Sequence, residues 1–296
     1  MSDATRSAMP TAEVHDTEPG LALHGHVGLV MRREGNGQIS AWIPVRPDLA
    51  PGGRMPLGTI GFVCDVVGGH VAGLAVVPKW VVTTDLDVRR VGGAHVTGPL
   101  WISGSVVRAG RTSVVAAMEV RDVGAGGRLV AVASVASTPL DANFEPFAAQ
   151  QADGVALGNG PEPDSPPPFQ EFLGLVAHGD SLVFDMPPLA RNPWGVMHGG
   201  AVVEAIAAVG ASAARRGLGD EAVLTALHTR FVNGARVGPF EVNAHAAGPV
   251  VASTSGPVRV EVTDRGADRT VATGVVEARA PVRGVDDVAH EEVTDG

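Results

Sequence analysis

The sequence predicts an α+β fold in which two similar halves each wrap an antiparallel β-sheet around one central helix. Three observations support this: an internal repeat spans most of the chain, each half has one apolar helical segment, and long Val- and Thr-rich segments alternate with turn residues. A helix and an antiparallel sheet bury their apolar faces against each other, which produces a layered α+β domain.

The repeat is visible in residues that recur at a nearly constant offset. Residues 81–100 align with residues 222–240, and the offset lies between 140 (238 − 98, at the Gly-Pro pairs) and 142 (264 − 122, at two Asp residues). Upstream, Met55 and Met197 match at the larger offset. So long a period indicates a duplicated domain, because solenoid units are shorter.

The repeat defines the domain boundaries that we predict. They are a disordered N-terminus (1–20), a first repeat (21–140), a linker rich in Pro, Gly and acids (141–168), a second repeat (169–283) and a disordered tail (284–296). Each repeat is expected to contain a hairpin-like β pair, a loop, a helix of about 15 residues and several long strands. In the first repeat, Gly-Asn-Gly marks the hairpin turn.

Composition limits the classes of function. The 296 residues suffice for two domains, and 45% hydrophobic with 18% charged residues is a globular composition. A net charge of −10 argues against nucleic-acid binding. The single cysteine, Cys64, excludes an internal disulfide and a multi-thiolate metal site, and it fits a reducing cytoplasm. The ten histidines show no metal-ligand spacing, so we expect no metal.

Two features concern targeting and membranes. The N-terminus is polar and acidic without an apolar core, so we predict no signal peptide. No uninterrupted apolar run reaches the roughly 18 residues of a membrane span. We therefore expect a cytoplasmic protein without a membrane partner.

The most informative motif is Asn192-Pro-Trp-Gly-Val-Met-His198-Gly199-Gly200, followed by an apolar helical segment. The first N–H groups of a helix have no partner within the helix, and the helix dipole makes this end partly positive. Glycines let a substrate oxygen approach these groups closely. A thioester carbonyl bound there would be stabilised as it gains negative charge, as in an oxyanion hole.

This Asn-x-x-Gly-x-x-His-Gly-Gly pattern resembles the signature of the hotdog-fold thioesterases of the phenylacetic-acid-degradation type. With the repeat, the chain is similar to a double hotdog, and the resemblance covers residues 22–139 and 170–282. It implies an acyl-coenzyme A thioesterase of lipid metabolism that needs no cofactor besides the coenzyme A of its substrate. The oligomeric state is left open, with a homodimer of double-hotdog chains as one alternative.

The resemblance also implies one composite site. In similar enzymes a carboxylate follows the signature His by nine residues, but that position here is Ala207. The same position of the first repeat holds Asp65, and the family's strand hydroxyl falls on Thr83. One complete site then consists of Asn192, His198 and Gly199 facing Asp65 and Thr83. The mirror site would hold Ala50, Pro56, Leu57, Ala207 and Leu224, which carry no reactive groups.

The expected roles follow the chemistry of each group. Asp65 is a general base or a nucleophile, and the Gly199 N–H polarises the carbonyl. Asn192 and Thr83 hold the water or the carboxylate, and His198 shapes the loop without being the base. The simpler alternatives are an exposed acid for Asp65, a turn residue for Gly199, a turn brace for Asn192, a strand former for Thr83 and a neutral helix-start residue for His198.

Several polar residues outside this motif also carry expectations. Glu204, six residues after His198, is expected to be a solvated or interface carboxylate, with a role as substitute acid left open, and Cys64 is expected in the core. Arg89, Arg90 and Arg230 are candidates for binding coenzyme A phosphates, with a solvated face as the alternative. A non-catalytic acyl-thioester binder is the second function that the sequence allows.

Overall fold

The computed structural model describes residues 13–14, 21–143, 156–158, 166–175, 179–192, 194–246 and 256–280. The predicted tail and most of the predicted N-terminus and linker lie outside these residues. Two short strands, Glu13–Val14 and Ala156–Gly158, fall within the segments predicted as N-terminus and linker and pair with each other in parallel. The domain boundaries themselves stay predictions.

The elements follow one another in a similar order in both halves, with one difference. Between the short helix and the central helix, the first half has the expected pair of strands, whereas the described residues of the second half have a single strand. The first half contains β1 (Glu13–Val14), α1 (Leu21–His26), β2 (Val30–Arg33), β3 (Ile39–Ile43), α2 (Leu57–Leu74), β4 (Lys79–Arg90), β5 (Leu100–Ala109), β6 (Val114–Asp122) and β7 (Arg128–Asn143). Then come β8 (Ala156–Gly158), α3 (Phe169–Phe172), β9 (Ser181–Phe184), α4 (Gly199–Leu218), β10 (Val223–Phe231), β11 (Phe240–Ala246), β12 (Val258–Asp264) and β13 (Arg269–Arg279).

The described strands form one sheet that is symmetrical about its middle. Its order is β1-β8-β2-β3-β5-β6-β7-β4-β10-β13-β12-β11-β9, so the first half's β5-β6-β7-β4 is mirrored by the second half's β10-β13-β12-β11. The halves join where β4 pairs with β10 in antiparallel fashion, with Arg89 opposite Ala226. We call this junction the seam. Sequence repetition therefore becomes an approximate twofold relation between the halves.

Local predictions of the first half are confirmed. The Gly-Asn-Gly segment forms the turn between β2 and β3, where Gly37 has φ of +76°, a conformation that favours glycine. The helix predicted with about 15 residues has 18 in α2. Strand β6 alternates between more and less buried positions, as a strand with one face on a core must.

Helix α2 is apolar on nearly every side because it lies inside the fold. Its 18 residues and mean hydropathy of 1.5 make it long and apolar enough to cross a membrane, although Asp65 interrupts its apolar run. However, 83% of it is buried within the protein, as in the core helix of a sheet-wrapped domain. Its composition is therefore weak evidence for a membrane.

The two central helices cross at glycines. A Cβ atom built on Gly61 would lie 2.7 Å from a methyl of Val203, and one built on Gly200 would lie 2.5 Å from the Phe62 ring. Larger residues at either glycine would push the helices apart. The close crossing brings the start of each helix next to side chains of the other half.

A buried aspartate recurs at the same place in each half. Asp122 accepts hydrogen bonds from the backbone N–H groups of Thr97 and Gly98, and Asp264 accepts from Val237 and Gly238. In both cases the carboxylate holds the loop before β5 or β11. The sequence match of Asp122 with Asp264 therefore reflects a duplicated structural role.

Candidate active site

The start of α4 is organised by His198. This residue is the N-cap of the helix, and its Nδ1 accepts a hydrogen bond of 3.0 Å from the Gly200 N–H. Burial lowers the pKa of His198 to about 4, so the imidazole is neutral at pH 7. Because Nδ1 is the acceptor, the ring proton must be on Nε2.

Asp65 of the other half faces this helix start. A Cβ atom on Gly199 would lie 2.7 Å from Oδ2 of Asp65, and His198 Nδ1 lies 3.9 Å from the same oxygen. Asp65 is only 6% exposed, so the alternative of a solvent-exposed acid is wrong. Within the described part of the chain, its Oδ1 has no hydrogen-bond partner. An unsatisfied buried carboxylate oxygen is costly unless it has a further partner.

The surroundings of Asp65 set its proton affinity. Burial raises the pKa of Asp65 to about 6, and hydrogen bonds from the Thr83 hydroxyl and the Gly200 N–H oppose this rise. Thr83 lies on β4 next to the seam, so the structure brings it to the carboxylate as predicted. We call Asp65, Thr83, His198, Gly199 and Gly200 the Asp65 site.

Asn192 makes the contacts of the simpler alternative, a turn brace. Its side-chain oxygen accepts hydrogen bonds of 3.0 Å from the N–H groups of both Trp194 and Val196. The amide oxygen is therefore used to brace the loop before α4, as in an Asx turn. The ring of Trp194 packs 4.1 Å from that of Trp80 on β4, which holds this loop against the first half.

The mirror site contains an ionisable group that the sequence did not lead us to expect there. Ala50, Leu57, Ala207 and Leu224 are buried apolar residues there. However, Glu204 is also fully buried, at 0% exposure, so of the expected alternatives, a solvated or an interface carboxylate, the solvated one is wrong. The reason is that the glycine-based helix crossing covers the face of α4 that carries it.

Arg90 is occupied by the fold. Its Nη2 donates to the Met55 carbonyl at 2.7 Å and its Nε to the Leu224 carbonyl at 3.1 Å. Burial lowers its pKa to about 10. These contacts tie the loop before α2 to β10, so the side chain is used for structure and not as a free phosphate ligand.

Arg89 and Arg230 lie on the two seam strands but do not form one cluster with Arg90. Arg89 is paired with Asp87 at 2.8 Å, and Arg230 lies 3.3 Å from Asp85. Both guanidinium groups are at least half exposed. The geometry thus does not support a single phosphate-binding group of three arginines, although two remain accessible to solvent.

Sequence reasoning missed His24. Its Nε2 lies 3.3 Å from His198 Nε2, and burial lowers its pKa well below 6.5. Since His198 carries its proton on Nε2, His24 must be the acceptor in this bond. A signal was available: Gly28-Leu29 after α1 matches Gly174-Leu175 after α3, which marks α1 as a repeated element.

Cys64 lies in the core. Burial raises the pKa of Cys64 to about 12, which agrees with a core residue and not with a nucleophile. Among the residues that the structure covers, no group of three His, Cys, Asp or Glu side chains could hold a metal ion.

Comparison with solved structures identifies the architecture. The chain is similar to a 12:0-ACP thioesterase from Umbellularia californica (TM-score 0.56, 9% identity, covering 83% of this chain and 98% of that one). It is also similar to a tesB protein from Mycobacterium avium subs paratuberculosis and to a conserved protein with a hot dog fold from Alicyclobacillus acidocaldarius. Each of these two has a TM-score of 0.55 and 13% identity, and each match covers 88% of this chain and 99% of the other.

The chain has a double hotdog fold. At these identities the similarity shows the fold alone, and the activities in those names belong to those proteins. No family model and no curated protein sequence matches the chain. Within a double hotdog, the Asp65 site lies where the two units meet, between the central helix of one and the helix start of the other.

Proposed function

We propose that the protein hydrolyses acyl thioesters at the Asp65 site. The observation that carries the proposal is the approach of a buried carboxylate from one half to the N-terminal turn of a helix from the other half. Solved hotdog structures that carry the name thioesterase add support at the level of the fold. A carboxylate and a set of backbone donors are the two groups that thioester hydrolysis needs.

The first two N–H groups of α4 have different acceptors in this mechanism. The N–H of Gly200 donates to His198 Nδ1, which leaves the preceding N–H, that of Gly199, for the thioester carbonyl oxygen. Negative charge developing on this oxygen is stabilised by that donor and by the helix dipole. The neutral His198 then acts by holding the turn in shape.

Asp65 supplies the proton acceptor. Its carboxylate removes a proton from water while the water oxygen bonds to the carbonyl carbon; the C–S bond then breaks, and the thiolate leaves with the proton from Asp65. In the alternative route an Asp65 oxygen bonds to the carbonyl carbon and the C–S bond breaks, which releases the thiolate and leaves an anhydride. Water then hydrolyses the anhydride to the free acid and the Asp65 carboxylate, and the thiolate takes up the proton from this water. A pKa of about 6 keeps most of the carboxylate ionised at pH 7 and still basic enough to accept a proton.

The finer proposal is that the substrate is an acyl-coenzyme A ester. Arg89 and Arg230 are exposed cations on the seam that could meet its phosphates. A panel of coenzyme A esters and acyl-carrier-protein thioesters with short, long and aromatic acyl groups tests this, because preference for the protein-borne esters would contradict it. A cytoplasmic location remains a prediction of the sequence, and the oligomeric state stays open, with a homodimer as one alternative.

The decisive experiment compares hydrolysis by the wild type with that by Asp65→Asn. We expect kcat to fall by about 10³-fold or more, the usual contribution of a general base or nucleophile. Asp220→Asn, at an exposed carboxylate, is the matched control. A variant Asp65→Asn as active as the wild type would refute the proposal, and binding of acyl thioesters without any turnover would favour the non-catalytic binder.

A further inference from the structure

The repeat places a second buried carboxyl group at the other end of the helix crossing. At the offset of 142 residues, Gly58 of α2 corresponds to Gly200 of α4, and Phe62 corresponds to Glu204 (204 − 62 = 142). Phe62 packs against Gly200, and Glu204 packs against Gly58 in the same way. Glu204 thus takes the place that a phenylalanine fills in the first half.

The short helices before the central helices are also related. The Leu29 N–H donates to the His24 carbonyl at 2.9 Å, and the Leu175 N–H donates to the Gln170 carbonyl at 2.7 Å. Gln170 is therefore the counterpart of His24. Each of these two residues points a polar side chain toward the helix crossing, His24 at the Asp65 site and Gln170 at Glu204.

One of the two carboxyl oxygens of Glu204 has no hydrogen-bond partner among the described residues. The Gln170 side-chain amide donates to Oε1 at 2.8 Å, and a hydrogen bond from the Thr59 hydroxyl also acts on the group. Oε2 is buried, with no hydrogen-bond partner in the described part of the chain. It lies 2.7 Å from the Cβ position of Gly58, so it is directed at the first turn of α2.

The start of α2 offers donors at the same place. Its N-cap is Pro56, which makes no side-chain hydrogen bond to the helix, whereas His198 occupies the Gly200 N–H of α4. The first helical hydrogen bond is that of Ile60 with the Pro56 carbonyl. The N–H groups before it have no acceptor within the helix.

We propose that Glu204, Gln170, Thr59 and Gly58 form a second ligand site, the Glu204 site, which takes the carbonyl end of an acyl thioester. The α2 amides donate to the carbonyl oxygen, and Oε2 of Glu204 hydrogen-bonds a water or a polar group beside it. This ligand class rests on the function proposed for the Asp65 site. A chain then binds two acyl thioesters, one at each end of the helix crossing.

The test counts ligands per chain. The probe is a ketone analogue of an acyl-coenzyme A ester, in which a methylene between carbonyl and sulfur prevents hydrolysis. Calorimetric titration and native mass spectrometry of the full chain are expected to show two molecules bound. Glu204→Phe copies Phe62, which packs against Gly200 at the corresponding place, and should reduce the number to one.

Two more variants test the two sites separately. Glu204→Gln keeps the shape and is expected to weaken only the second binding event, by about tenfold, the effect of one hydrogen bond. Gly199→Ala puts a methyl group against Asp65 and should abolish binding at the Asp65 site. One ligand on the wild type, or two on Glu204→Phe, overturns the proposal while hydrolysis remains a separate measurement. If the wild type hydrolyses thioesters but binds one analogue, only the second site fails.

Discussion

Asp65 is the one acidic residue of α2, and its chemistry depends on its burial. A carboxylate is normally ionised above pH 4, but burial delays this to about pH 6. In the proposed mechanism, the site is active only after this proton is lost. This links one side chain directly to a measurable pH dependence.

We expect kcat/KM for thioester hydrolysis to rise with pH and level off above about pH 6, because only ionised Asp65 can accept a proton or attack. The measurement is a rate profile between pH 4 and pH 8. An activity that is constant across this range would show that another group is the base.

In the proposed mechanism, His24 is a positioning residue that acts through His198. When His24 Nε2 accepts a hydrogen bond from the Nε2–H of His198, the unprotonated Nδ1 of His198 can accept the hydrogen bond from the Gly200 N–H. The neutral imidazole could otherwise move its proton to Nδ1, and the cap would be lost. The tautomer of one ring therefore determines which backbone amide remains for substrate.

Replacing His24 with Phe should shift His198 toward the Nδ1-protonated tautomer and lower kcat by about tenfold, the equivalent of one hydrogen bond. Nitrogen NMR of the His198 ring reports the tautomer directly. His24→Gln, which restores an acceptor, should recover the wild-type spectrum and rate. An unchanged tautomer in His24→Phe would rule out this role.

At the level of elements, Asp264 organises the loop between β10 and β11. Four backbone N–H groups donate to it: those of Arg236, Val237, Gly238 and Ala267. Burial alone would raise its pKa, but these hydrogen bonds outweigh burial and lower the pKa below the usual value. The loop geometry thus depends on the ionised carboxylate.

Asp264→Ala should reduce the free energy of unfolding by about 3 kcal/mol, because several buried donors lose their acceptor. Urea denaturation at pH 7 measures this loss. The stabilisation is present above the unfolded pKa of about 4 and is lost as the pH falls through the lower folded value, so wild type and variant should converge in acid. Asp122→Ala is the paired variant, and a negligible effect of both would contradict the structural role.

Much of the arrangement of elements could be predicted from sequence. The constant offset predicted the duplication and assigned Ala207 and Leu57 as the counterparts of Asp65 and Gly199. That Asp65 faces Gly199 was implied by the resemblance to hotdog thioesterases, whose sites are shared between two units. The pairing of His24 with His198 could not be predicted, because it depends on how a short helix of six residues docks against the other half.

The burial of Glu204 was missed for a related reason. A glutamate at a helix turn usually faces solvent, and only the close crossing at Gly58 and Gly61 encloses it. The role of Asn192 also depends on loop geometry, because its spacing alone allows a bond either to backbone or to substrate. Side-chain partners across the crossing are properties of the assembled fold.

For the whole molecule, buried acids make stability depend on pH. Burial raises the pKa of Glu204 from 4.5 to about 7, so the folded protein holds this proton at pH values where the unfolded chain has released it. The free energy of unfolding therefore falls as the pH rises from 4.5 through 7. Ionised Glu204 is the destabilising form.

Glu204→Gln cannot ionise and should escape this loss. Relative to the wild type, its free energy of unfolding should increase by up to about 3 kcal/mol between pH 5 and pH 8. Chemical denaturation at the two pH values measures the difference, and Asp220→Asn should show no such trend. A parallel pH dependence of wild type and Glu204→Gln would mean that the carboxyl is not protonated at neutral pH.

The continuous β4–β10 junction has a genetic consequence. When two identical subunits assemble, any single codon change appears twice, so both catalytic centres must tolerate it together. Fusion into one polypeptide removes that constraint, and an alanine at 207 can coexist with an aspartate at 65. Each end of the helix pair can then acquire its own ligand selectivity. Because both ends belong to one polypeptide, every molecule contains one copy of each.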